Sequence, residues 1–164
     1  MIKQCACLLV FAAAGYALGQ AADSTWQEML RASGYAESAR AGFRQQCNVN
    51  PRMVVTPQLR SLCAKIDEIP SRVIEGAALP CVKRYVSAQA ADELRRFWDS
   101  DSGRALRGKI TREIETGQYN VLTAADLKLL GEQSKTGSAQ AMLAFTKDSE
   151  CSSNVARALL AYEP

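Results

Sequence analysis

The feature that most constrains this chain is the run Leu94-x-x-Phe97-Trp98-x-Ser100-x-x-Gly103-x-x-Leu106. Upstream, Ala91, Leu94, Phe97 and Trp98 share one face at helical spacing; downstream, Leu106, Ile110 and Ile114 stand four apart. Ser100 between them is a natural N-cap, accepting from the amide of Ser102 or Gly103 for about 1 kcal/mol. Asp101 suits the positive end of the helix dipole. Gly103 costs stability in a helix interior, but in the first turn its missing side chain would let the Phe97 or Trp98 ring lie close. The segment Val86 to Ile114 therefore predicts two amphipathic helices joined at a tight corner.

The same periodicity runs through the rest of the chain. Ser24 and Gln27 have the spacing of a capping box, followed by Trp26, Met29 and Leu30 on one face, with Gly34 as the stop. Ala36 to Cys47 predicts a second helix anchored by Phe43 and ended by Asn48-Val49-Asn50-Pro51. Thr56-Pro57 opens a third, carrying Leu59, Leu62, Cys63 and Ile66. A short helix with Val73 and Ile74 should break at Leu79-Pro80, because proline lacks an amide donor. Ser87 and Thr123 are further caps, the second leading a helix with Leu127, Leu129 and Leu130. Thr136 to Lys147 carries Ala139, Met142, Leu143 and Phe145, and Val155, Ala158, Leu159 and Tyr162 form a final stripe. No segment alternates with period two over a strand's length. The fold class is all-α, a compact bundle of short helices and helical hairpins.

The first residues stand apart from this pattern. Lys3, an apolar run from Cys5 to Ala17 and the small residues after it read as a secretory signal over residues 1–21, cleaved after Gly19 or Ala21. Residues 22–164 are then one helical domain with no transmembrane span. The expected location is outside the cytoplasm, the periplasm first. Four cysteines stay with the domain: Cys47, Cys63, Cys81 and Cys151. In an exported chain they read as two disulfides, which three connectivities allow. The pairing favoured here is Cys47 with Cys63 and Cys81 with Cys151, worth about 3 and about 4 kcal/mol by loop closure. No Cys-x-x-Cys and no histidine occur, so a metal site is not expected.

A weak repeat appears at an offset of 34 residues. Ala90-Ala91-Asp92 matches Ala124-Ala125-Asp126, Ser100 matches Ser134, Gly103 matches Gly137 and Ala105 matches Ala139. It reads as a duplicated helical hairpin, since two copies do not make a solenoid.

The Phe97-Trp98-x-Ser100-x-x-Gly103 run and its flanking leucines resemble the hallmark of a family of bacterial exported helical domains, catalogued as a domain of unknown function, number 2059. Met29-Leu30-Arg31-Ala32-Ser33-Gly34 is similar to the short helix near the mature start of such proteins. The four cysteines, and Trp98 where a tyrosine is commoner, depart from the family pattern. The resemblance implies an envelope location and a helical fold, and it transfers no catalytic residue.

Functional classes narrow further from composition. Without Lys3 the chain has 19 basic and 17 acidic residues, a formal +2, and no run of five like charges, so nucleic acid is not an expected partner. Arg95, Arg96, Arg104, Arg107, Lys109 and Arg112, with Glu113 and Glu115 nearby, read as a solvated face, or else as a basic surface for anionic envelope polymers or a partner protein. Lack of histidine removes the common nucleophile–imidazole pairs, and no cofactor motif is present. The reading is a non-catalytic binding or structural module whose partner is an envelope protein or polymer, with Phe97, Trp98, Ser100 and Gly103 as the motif and candidate partner surface. The alternatives are a carboxylate-based hydrolase of peptidoglycan, for which Ala36-Glu37-Ser38 is the faint pointer, and a carrier of an apolar ligand.

Overall fold

The computed structural model describes residues 23–48 and 57–163. Among them every regular element is a helix: α1 (23–32), α2 (Tyr35–Asn48), α3 (Pro57–Lys65), α4 (Ser71–Tyr85), α5 (Ala88–Asp99), α6 (Asp101–Thr116), α7 (Ala124–Gln133), α8 (Gly137–Lys147) and α9 (Ser149–Leu160). The signal segment, the Asn-Pro turn and the Thr56 cap lie outside the described residues.

The helix α4 is the hub. It buries Ile74, Ala78, Cys81 and Val82, with Val86 just past its end, and α2, α8 and α9 pack around it. The first helix joins the same core through Met29 and Leu30, and the Trp26 indole N–H donates to the Val86 carbonyl at 2.7 Å. A buried indole needs such a partner. Gly34 adopts φ +67°, the left-handed conformation that ends α1 before α2 begins.

Four local expectations need correction. Residue 23 is already helical, so Ser24 sits inside α1 rather than before it. The chain does not break at Pro80, because α4 runs through it. Pro80 and Gly76, whose carbonyl loses its helical donor, both face solvent, where water can serve that carbonyl. The buried side chains on either side of the proline outweigh its cost. On α9 the buried stripe is Cys151, Val155 and Leu159, with Ala158 exposed and Tyr162 beyond the helix end. The Lys65 ammonium closes that end, donating to the carbonyls of Leu160 at 2.6 Å and Tyr162 at 2.8 Å.

The duplicated hairpin is the fourth. Two consecutive helix pairs exist, α5–α6 and α7–α8, but their caps correspond as Ser87 with Thr123 and Ser100 with Thr136, two residues out of step with the 34-residue alignment. Gly103 is buried at its corner, whereas Gly137 faces open space. The matched glycines do different jobs.

The cysteines pair as favoured, Cys47 with Cys63 and Cys81 with Cys151, at Cα separations of 5.9 and 5.7 Å that suit a bridge. The first ties α2 to α3, and the second ties the hub to α9.

Candidate binding groove at the Trp98 corner

Ser100 alone joins α5 to α6, ending one helix and capping the next in an extended conformation. Its hydroxyl accepts from the Gly103 amide at 3.1 Å and donates to the Phe97 carbonyl at 2.6 Å, so one side chain serves an orphan group of each helix. Gly103 is required, though not by an aromatic ring. A Cβ there would stand 2.1 Å from the Phe97 carbonyl oxygen and 2.9 Å from the Trp98 Cα. It is the backbone of α5 that comes so close. The Phe97 and Trp98 rings meet edge to face at 4.9 Å, both half-buried. The corner therefore brings all four motif residues together, while the four cysteines serve elsewhere.

Trp98 also walls a groove of about 300 Å³ between α5, α7 and α8. Leu94, Leu130, Ala139, Met142 and Leu143 complete its apolar walls, and Gln133, Ser134, Gln140 and Thr146 supply the polar positions. None of these lining residues is ionisable. The apolar surface continues beyond it, for Leu127 is 57% exposed and lies one turn before Leu130 on α7.

The α7 wall is held differently from the others, since α7 buries no residue. The Lys109 ammonium reaches from α6 to the Asp126 carboxylate at 2.6 Å, and Asp126 also accepts from the Thr123 amide at 2.7 Å and hydroxyl at 2.6 Å in a capping box. Lys109 first, then Thr123, lowers the Asp126 pKa from 3.8 to about 2. Glu113 adds a clamp, its carboxylate accepting from the amides of Val121 at 2.9 Å and Leu122 at 3.2 Å.

The basic side chains of α5 and α6 are mostly engaged in ion pairs or backbone contacts. Arg95 binds Asp92 at 2.8 Å, Arg96 binds Asp92 at 3.0 Å, and Arg104 binds Asp101 at 2.5 Å. Lys109 is committed to Asp126, and Arg107 donates to the Ala32 carbonyl. Arg112 makes no ion pair or side-chain hydrogen bond to another described residue.

A second concavity, about 570 Å³, opens where the α1–α2 turn meets α6. Glu37, the residue behind the hydrolase alternative, lines it with Glu115, Thr111 and three arginines, Arg31, Arg107 and Arg112. Beneath Arg31 lies Glu75 of α4, 4% exposed, with the guanidinium 4.0 Å from its carboxylate. Burial raises the Glu75 pKa, Arg31 opposes that, and the nearby Glu37 charge raises it further.

Comparison with protein-family models, with curated proteins and with solved structures found no match.

Sequence reasoning found the Trp98 side of the groove and missed the opposite wall. Leu130 and Met142 were legible as apolar helix positions, but their pattern reads as core. The one available sign was the crowding of Leu127, Leu129 and Leu130, more apolar residues than one narrow stripe needs.

Proposed function

We propose that this protein is an exported, non-catalytic binding module of the bacterial envelope, working in the periplasm and belonging to the helical family that its corner motif resembles. Its task is to hold an amphipathic helix of a partner protein in the Trp98 groove. The observation that carries this reading is the groove's lining: apolar walls with neutral polar positions among them, and no group able to act as acid or base. Its volume is at the lower limit for small-molecule pockets, and its apolar surface runs on to Leu127, which suits the face of a helix better than an enclosed ligand. Two disulfides support an oxidising compartment, and among the described residues no helix is long and apolar enough to cross a membrane.

The test is photo-crosslinking in cells from position 143, whose leucine is 43% exposed at the groove, followed by identification of the crosslinked segment. An amphipathic helical segment of a protein, lost on Leu130→Lys, is the expected result. Lipid retained in native mass spectra would replace this reading with an apolar carrier. Clearing of purified cell wall in a zymogram would replace it with a hydrolase. Trp98→Ala should abolish capture while the protein keeps its cooperative unfolding transition.

A further inference from the structure

The cleft between the α1–α2 turn and α6 has charges that the fold does not use. Its walls are set by residues already committed. Arg107 lies across Gly34, its guanidinium donating to the Ala32 carbonyl at the end of α1, and Glu115 pairs with Arg44 at 3.5 Å. Gly108 adds no side chain to the α6 wall, and a Cβ there would meet open space. Between these walls stand Glu37 on α2 and Arg112 on α6, both exposed. Neither makes an ion pair with any described residue, and they do not pair with each other.

Opposite charges that line one cleft without meeting leave a field across it, and a dipolar solute is stabilised along that field. Behind Arg31 the Glu75 carboxyl is buried and receives no hydrogen bond from a described residue, and Glu37 lies near enough to interact with it. A cation placed at Glu37 relieves this like-charge crowding. The Arg112 guanidinium, lining the same cleft, offers the two-pronged donor geometry that matches a carboxylate.

We infer that this cleft binds a small zwitterion of the amino-acid or short-peptide class, its ammonium group at Glu37 and its carboxylate at Arg112. The site is independent of the Trp98 groove.

Titration of the mature protein with L-alanyl-L-alanine, followed by amide NMR shifts at Gly108 and Thr111, tests the assignment. Saturable shifts are expected. Blocking the amine by N-acetylation, or the carboxylate by amidation, should each weaken binding about tenfold, the loss of one charge-assisted contact. Glu37→Gln should weaken the free dipeptide about tenfold and leave the acetylated one unchanged, and Arg112→Gln should do the same for the amidated one. Both side chains face solvent, and unchanged thermal unfolding will show that the variants are folded. Absence of saturable shifts, equal binding of all three compounds, or dipeptide affinity unmoved by both substitutions would overturn the inference.

Discussion

The two consecutive helix pairs of this protein are built on opposite principles. The α5–α6 corner is fixed by close approach: one capping serine, a glycine against the preceding helix's carbonyl, and Ala91, Leu94 and Leu106 buried on either side. The α7 segment is fixed by polar tethers, Lys109 to Asp126 and Glu113 to the Val121 and Leu122 amides, and buries no side chain. Close packing cannot yield by degrees, whereas the part-buried tethers of α7 can part without exposing a fully buried side chain. The groove lies between the two. One wall is therefore rigid and the other adjustable.

Gly103→Ala gives the largest expected effect. Its methyl group cannot share space with the Phe97 carbonyl, and no flexible side chain can move aside, so a loss of about 3 kcal/mol is expected in denaturant unfolding. A loss below about 1 kcal/mol would show that the corner is not closely packed. Next come the two caps. Ser100→Ala should cost about 1 to 2 kcal/mol of global stability, because the hydroxyl serves both helices. Thr123→Ala, at an equally well-formed cap, should cost about 1 kcal/mol confined to α7, visible in its amide exchange and not in the global transition.

Smaller still is the effect of cutting the tether. Lys109→Met should speed amide exchange in α7 severalfold and leave α5 unchanged. Acid should do the same to the native protein. Asp126 titrates at about 2 when folded against an ordinary 3.8, so its contribution is present above pH ~4 and is lost as pH falls through ~2. Asp148 and Asp92 also have lowered pKa values, chiefly through the Tyr85 hydroxyl and Arg95, and they act at α9 and α5. Exchange measured helix by helix keeps the three apart, and Asp126→Asn should flatten the α7 response alone.

This contrast also marks what the sequence made legible. Caps at Ser87, Ser100 and Thr123 were readable because capping is local chemistry, satisfied within three residues. The disulfide pairing was one of three that the sequence allows, and the helix packing decides it. Pro80 misled because its local penalty was weighed without the buried faces of α4, which only the assembled core reveals. The α7 wall misled in the other direction. Leu127 and Leu130 look like core residues, yet Leu127 is exposed and Leu130 lines the groove. Tethers such as Lys109–Asp126, 17 residues apart, carry no periodic signal at all. Motif residues at the corner thus announced the rigid half of the groove, and the adjustable half had no local signature.

Native-state hydrogen exchange at neutral pH tests the central claim most directly. The account predicts that α7 amides exchange by local opening, at least tenfold faster than those around Ala91, Leu94 and Leu106 and with no dependence on low denaturant. Exchange of α7 at the same rate as the corner, rising with denaturant along the global unfolding line, would contradict it.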